Sequence, residues 1–326
     1  MSVDRTALPR LLVFGEALTD FVRSGEQAWH SVAGGSGWNV ARVGATLGMP
    51  TGWGGAVSRD LFGQEIVDKS RAAGLDMRFL QVVDKPPLIA MVHQTNPPDY
   101  FFLGTDTADL AFDAQALPDG WEAQCEIAHF GCISLVREPL AGQLVALARR
   151  LRQAGTRISF DANYRNLMGP DYPAFFESMV ANADIVKVSD EDLARIYPGR
   201  ANEAMLADLR HRAAHALLLF TRGADGMTLF AGDAVLEQAS LRVTLADTVG
   251  AGDACIGGFL VSLLQRPQGP LAEHLRFAAA TAAVACTRVG AYAPTRDEVL
   301  ALARADAPGF LQDTGAAGSA SALSTS

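Results

Sequence analysis

Asp247-Thr248-Val249-Gly250-Ala251-Gly252-Asp253-Ala254-Cys255-Ile256-Gly257-Gly258-Phe259 reads as a turn of small residues opening directly into an apolar helix, Ala254 to Leu264, with Asp253 in its first turn. The first backbone N–H groups of a helix lack an intrahelical acceptor, and the aligned peptide dipoles leave partial positive charge there. Gly250, Ala251 and Gly252 carry little or no side chain, so a phosphoryl group can approach those N–H groups closely. A carboxylate beside such an anion repels it. The economical use for Asp253 is to accept a proton from an attacking hydroxyl while the N–H groups hold the charge building on the phosphoryl group. Taken alone, Gly-x-Gly-Asp reads more simply as an acidic helix start after a glycine turn. The surrounding chain decides between the two.

The 326 residues suffice for one large α/β domain or two smaller ones with a sizeable core. A balance of 49% hydrophobic and 19% charged residues excludes disorder over most of the length. The net charge of −9, with no basic cluster, argues against nucleic acid or an anionic membrane as the main partner. Cys125, Cys132, Cys255 and Cys286 lie in or beside apolar segments without Cys-x-x-Cys spacing, which points to buried thiols in a reducing compartment. Met1 to Arg10 has no apolar signal core, and no segment has the uninterrupted apolar length of a membrane span, so a cytoplasmic location is expected. Residues 314–326 are small-residue low complexity and are expected to form a disordered tail.

Leu11 to Gly15 predicts a buried central strand, with Glu16 to Asp20 at its carboxyl-end mouth, where open α/β sheets bind ligands. Asp20 there suits sugar hydroxyls, which a carboxylate accepts in short charge-assisted bonds; a solvated turn aspartate is the plainer reading. Phe21 to Ala33 suits a hairpin or edge sheet. Gly34-Gly35-Ser36-Gly37-Trp38-Asn39-Val40-Ala41 is glycine-rich but fails the dinucleotide fingerprint, because Val40 stands where a small residue should be; without any Gly-Lys pair the chain has no P-loop either. Leu88 to His93 and Tyr100 to Leu103 are two further β-like runs. From residue 126 strand and helix patterns alternate, predicting a doubly wound, mostly parallel sheet. Three motifs end strands in this half: Asp161-Ala162-Asn163-Tyr164-Arg165, Lys187-Val188-Ser189-Asp190-Glu191-Asp192, and Thr221-Arg222-Gly223-Ala224-Asp225-Gly226.

Residues 247–259, 34–41 and 161–165 together resemble the signatures of the ribokinase-like (phosphofructokinase-B) carbohydrate kinases, and the resemblance runs in family order to about residue 300. It implies that Gly250, Ala251 and Gly252 form an anion hole, that Asp253 is the catalytic base, and that Asp20, Gly34, Gly35, Asn39 and Arg165 form the sugar site. Arg165 would suit a phosphate or a substrate carboxylate. Lys187, Thr221, Gly223, Gly226 and Gly252 would lie on the nucleotide side, Asp192 would help order hydrated Mg²⁺, and Asp247 would border a monovalent cation, K⁺. The implied architecture is an α/β core of residues 1–15, 36–87 and 104–313 with a small β-sheet lid of residues 16–35 and 88–103. Paired lids would make a homodimer.

The activity so implied is ATP-dependent phosphorylation of a sugar hydroxyl, on fructose or a related ketose. A 2-keto-3-deoxygluconate kinase is the alternative, through Arg165. A nucleoside kinase, with Trp38 or Phe102 stacking on a base, and a non-catalytic sugar sensor come after it, and a nicotinamide dehydrogenase is disfavoured by the failed fingerprint. Two departures bear on the substrate. Trp38 stands where a small residue is usual, and Leu103-Gly104 occupies the place of an arginine common in fructokinase-like and 2-keto-3-deoxygluconate kinase-like members.

Overall fold

The computed structural model describes residues 7–95, 98–307 and 310, so the expected tail, 314–326, lies outside the described residues. Thirteen strands are described: β1 (Leu11–Phe14), β2 (Leu18–Arg23), β3 (Trp29–Gly34), β4 (Thr51–Ser58), β5 (Leu80–Val83), β6 (Ile89–Thr95), β7 (Pro98–Leu103), β8 (Ile127–Gly131), β9 (Arg157–Asp161), β10 (Ile185–Ser189), β11 (Leu217–Thr221), β12 (Met227–Ala231) and β13 (Ala234–Gln238). Between and after them run α1 (Ser36–Thr46), α2 (Leu61–Ala73), α3 (Trp121–Gln124), α4 (Leu140–Gln153), α5 (Tyr172–Asn182), α6 (Asp190–Ile196), α7 (Asn202–Arg212), α8 (Ala251–Gln265), α9 (Leu271–Ala285) and α10 (Arg296–Asp306).

Nine strands form one sheet in the order β13-β12-β11-β10-β9-β8-β1-β4-β5. From β11 to β5 neighbours pair in parallel, and only β12 and β13 join antiparallel at the edge. Strand β1 shows why an apolar run is required at the centre. Leu11 and Val13 pack into a cluster with α1, α8 and α9, Leu12 and Phe14 into a second cluster with α4 and α5, and all four are fully buried. A parallel strand covered by helices on both faces has no solvent side on which to place polar residues.

Helix α8 is apolar all round and buried without interruption from Asp253 to Leu264, as expected for a helix sandwiched between others. Its Gly257 and Gly258 make that possible: a Cβ at 257 would stand 2.8 Å from Val43 of α1, and one at 258 would stand 2.4 Å from Thr281 of α9. The helix starts at Ala251, three residues before the pattern of apolar residues predicts, because Gly250 closes the turn in the left-handed region (φ 76°). Ala251 and Gly252 are therefore the first two helical residues, and Asp253 the third.

A second sheet, β3-β2-β6-β7, leaves the main sheet from the carboxyl end of β1. Its β2–β3 and β6–β7 pairs are antiparallel and its central β2–β6 pair is parallel. Contacts tie it to the carboxyl-end loops: Phe21 meets Phe62 at 5.7 Å, and the Arg165 guanidinium lies 5.3 Å from the centre of the Tyr100 ring.

Candidate active site

The site is assembled where β1, β9 and β10 end and α1 and α8 begin. Gly250 can only be glycine: besides its φ of 76°, a Cβ there would stand 2.7 Å from that of Ala291. Within the turn, Asp247 Oδ1 accepts from Val249 N (3.1 Å) and its Oδ2 from Gly290 N (2.8 Å), latching the turn to the loop after α9. Ala251 N donates to Thr248 O (3.1 Å). That leaves Gly252 and Asp253 as the α8 residues whose N–H groups stand where a helix supplies no acceptor.

Asp253 is buried and held by the first turns of α1. Its Oδ1 accepts from Ser36 Oγ at 2.7 Å, and its Oδ2 from Asn39 Nδ2 at 2.9 Å. Burial pushes its carboxyl above the ordinary value; the Ser36 and Asn39 hydrogen bonds and the positive charges of Arg165 and Lys187 work against that rise. Asn39 Oδ1 is buried without a partner. The residues expected to be the base and to hold the sugar are thus in direct contact, and Asn39 keeps one acceptor aimed at no protein group.

The α1 turn is itself pinned. Gly35 precedes it at φ 113°, with backbone so close that a Cβ would meet Glu16 O at 2.5 Å. Glu16, fully buried at the end of β1, accepts from Ser36 N (3.1 Å) and Ser134 Oγ (2.5 Å); burial raises its carboxyl, and those donors oppose the rise. Asp20 is half-buried on β2, with Gly34 beside it: a Cβ at 34 would overlap its Oδ2 at 2.3 Å. Burial, opposed by Arg165 and reinforced by Glu16 and Asp253, pushes the Asp20 carboxyl up to about 7.

Below Gly252 lies a buried ion pair. Lys187 Nζ donates to both oxygens of Asp161, at 3.0 and 2.8 Å, and a Cβ on Gly252 would stand 3.4 Å from that ammonium. Burial alone would lower the Lys187 pKa; the Asp161 and Asp192 carboxylates together more than reverse this, so the ammonium stays charged under the first turn of α8. Asp192 forms a capping box for α6: Ser189 N and Oγ donate to its Oδ2 at 2.9 and 2.7 Å, and Tyr164 N donates to Oδ1 at 2.7 Å. Those bonds take up two directions on Oδ2 and one on Oδ1, so the carboxylate fits a cation met through water better than one bound directly. Thr221 ends β11, the strand next to β10. The hairpin that follows, with Gly223 at φ 51° and Gly226 at φ 85°, accounts for both glycines by its own geometry.

The expectation for Trp38 is corrected. Its indole is fully buried, donates from Nε1 to Ser70 Oγ (2.8 Å) of α2 and is covered by Arg42, so it neither narrows a sugar pocket nor stacks on a base. At Leu103-Gly104 an arginine does arrive, from elsewhere in the chain. Arg137 donates to Gly104 O (3.3 and 3.4 Å) but is committed to Asp109 (3.0 Å) and Thr107 Oγ1 (2.7 Å), which lock that loop. Ser36, Asn163, Glu16 and Asp161 received no role from sequence. Ser36, Asp161 and Asn163 fall inside segments that the resemblance singled out, and Glu16 follows the β1 glycine. What marks them is contact across the fold. Among the described residues, no group of three or more His, Cys, Asp or Glu is arranged to hold a metal ion, and no helix is long and apolar enough to cross a membrane.

Comparison with known proteins assigns this arrangement to a class. The pfkB family carbohydrate kinase model matches residues 8–298. A fructokinase of Rhizobium leguminosarum bv. trifolii is 35% identical over 78% of this chain and 79% of its own. The crystal structure of fructokinase with bound ATP from Xylella fastidiosa superposes with a TM-score of 0.82 at 29% identity, covering 92% of this chain and 99% of that one. The aminoimidazole riboside kinase from Salmonella enterica, complexed with aminoimidazole riboside and an ATP analog, superposes with a TM-score of 0.78 at 27% identity over 90% of this chain and 99% of its own. The chain belongs to the pfkB family of carbohydrate kinases, with the ribokinase-like α/β fold. It is a phosphotransferase acting on a sugar hydroxyl.

Proposed function

We propose that the sugar is fructose or a closely related neutral ketose, with Asp253 as the base. The observation that carries the reading is the buried Asp253 carboxylate beside the α8 N–H groups, held from behind by Ser36 and Asn39. The sugar hydroxyl gives its proton to Asp253 while its oxygen bonds to the γ-phosphorus of ATP; the bond from that phosphorus to the bridging oxygen breaks, and ADP leaves. The charge that moves meets the N–H groups of Gly252 and Asp253 and the Lys187 ammonium beneath them. Mg²⁺ bound with ATP supplies neutralisation of the phosphate oxygens, and Asp192 would meet it through water. K⁺ would belong to the loop pair that Asp247 latches to Gly290.

The charges around the sugar support a neutral substrate. Glu16 and Asp253 both press on Asp20, and the cation that answers Asp20 is Arg165, whose Nη1 donates to Asn163 Oδ1 (2.7 Å), Tyr164 O (2.9 Å) and Asn163 O (3.2 Å); Lys187, which also acts on Asp253, is paired with Asp161. The carboxylate of 2-keto-3-deoxygluconate would enter among three acids for one guanidinium already tied to backbone. An aromatic base has Tyr100 and Phe102, stacked at 6.5 Å, and the likeness to the riboside kinase favours keeping it as the second reading. Residues 16–35 and 88–103 serve as the lid in this reading. The exposed Trp29, Phe101 and Leu103 on it support pairing of two lids in a dimer, which light scattering would test.

The test is ADP release from Mg-ATP over ketoses, aldoses, keto-deoxy acids and nucleosides, with Asp253→Ala beside the native chain. Fructose turnover that drops roughly 100- to 10,000-fold in the variant, with ATP affinity kept, is expected. Turnover on a keto-deoxy acid or nucleoside in preference to fructose would overturn the substrate, and an active Asp253→Ala would overturn the base.

A further inference from the structure

Asn163 has a backbone no ordinary residue adopts without strain: φ is 38°, in the left-handed region, two residues after the end of β9. Asparagine tolerates that region better than most side chains, but glycine would occupy it freely. A non-glycine residue kept there needs a reason that its side chain supplies.

The contacts of that side chain supply one. Asn163 N donates to Asp161 Oδ1 (3.2 Å), the carboxylate that also holds Lys187. Asn163 Oδ1 accepts from Arg165 Nη1 at 2.7 Å; because guanidinium can only donate, this fixes which end of the amide faces it. The NH₂ end therefore points the other way, to Ser36 Oγ at 2.6 Å and, more weakly, to Asp253 Oδ1 at 3.4 Å. Ser36 in turn donates to that same Asp253 oxygen at 2.7 Å. Loss of the amide would leave Ser36 Oγ free to rotate its proton away from Asp253 and would release Arg165 from one acceptor.

We infer that Asn163 is a positioning residue for the base, its strained backbone holding an amide that couples Arg165 on the sugar side to the Ser36–Asp253 pair. The inference rests on Asp253 being the base. Around Asp253 the charged and titratable groups are Arg165 after β9, Lys187 on β10, Asp161 on β9, Asp20 on β2, Tyr100 on β7 and Cys132 after β8. Substitution at 163 removes none of them and frees only Arg165 from one acceptor, so a change in the titration of activity reports the lost or altered amide, directly or through the Arg165 it holds.

The experiment compares the native chain with Asn163→Gly, Asn163→Asp and Asp253→Asn, measuring kcat, KM for ATP and the pH profile with fructose, or with whichever sugar of the panel above is turned over, alongside thermal melts. Asn163→Gly relieves the strained φ, so its Tm is expected at or above that of the native chain. Its kcat should fall roughly 10- to 100-fold through looser positioning, with KM for ATP unchanged. Donors to Asp253 favour its ionised form; losing them moves the acidic limb of kcat up by about half to one pH unit. Asn163→Asp places a negative charge against the base and should move that limb further in the same direction. Native kcat and an unmoved acidic limb in both Asn163 variants, with Asp253→Asn inactive, would overturn the inference alone. An active Asp253→Asn would overturn the base assignment and the inference with it.

Discussion

The floor of the site and the small sheet over it are built by opposite rules. On the floor, twelve consecutive residues of α8 are buried, and Asp253 is gripped through two oxygens by one turn of α1, itself pinned by Glu16. The small sheet leaves Trp29, Phe101 and Leu103 exposed, and among its described residues burial is confined to the ends of β2 and β3 nearest the core and to Ala90 and Val92 of β6. A group that takes a proton during phosphoryl transfer must already be aligned, which calls for packing that permits one arrangement. If the small sheet covers the substrate as proposed, shallow burial and few fixed contacts would let it admit and release that substrate.

If that contrast is right, damage to the floor should cost far more than damage to the cover. The largest effect is expected at Lys187. Lys187→Met strands Asp161 as a buried charge without its partner, and removing one member of such a pair costs about 3–5 kcal/mol. Urea unfolding would measure it, and a midpoint within error of the native chain would show that the pair does not hold the floor. Gly250→Ala comes next. It forces a Cβ into the left-handed region against Ala291, at about 1–2 kcal/mol for the backbone alone, and shifts the first α8 turn; the same melts together with kcat for the sugar would record it.

Asp20, at the boundary between the two regions, sharpens the comparison through pH. Its carboxyl is raised in the folded chain to about 7 from an unfolded value of 3.8. The folded state therefore binds the extra proton between those values, and its contribution to stability is greatest at the acid end and declines as pH rises through that window. Asp20→Asn removes the decline. The Tm of the variant relative to the native chain should climb from pH 5 to pH 7.5, and a flat difference would show that Asp20 titrates as an ordinary surface acid. At the cover, Phe101→Ser removes a half-exposed ring; a change within about 0.5 kcal/mol in stability, with kcat unaltered, is expected from melts and turnover. A large loss there would mean that the cover is as tightly determined as the floor.

The fold was legible where local pattern and tertiary role coincide. Leu11 to Phe14 is apolar at every position because both faces of β1 are covered, and the run shows it without any partner in view. The start of α8 is legible for a similar reason: a glycine turn, two small residues and an acid are a local device, and only the helix boundary moved, to Ala251. Trp38 departs from its expected place because a bulky residue beside an asparagine expected in the sugar site looks like part of the pocket, whereas on α1 it sits one position away and turns to Ser70 of α2. Nothing in a linear pattern says which way that side of the helix faces.

The sequence by itself determined the class of fold and the family, and it marked Asp253 and its glycine turn as the expected base and anion hole, since each rests on residues adjacent in the chain. Tertiary structure alone decided that Ser36 and Asn163 reach Asp253 from 217 and 90 residues away, that Glu16 anchors the turn carrying Ser36, and that Lys187 is charged beneath Gly252. Those roles depend on which strand ends meet, and on how completely water is excluded where they do. A hydrogen bond or a shifted pKa across that gap exists only once the sheet has brought the ends together.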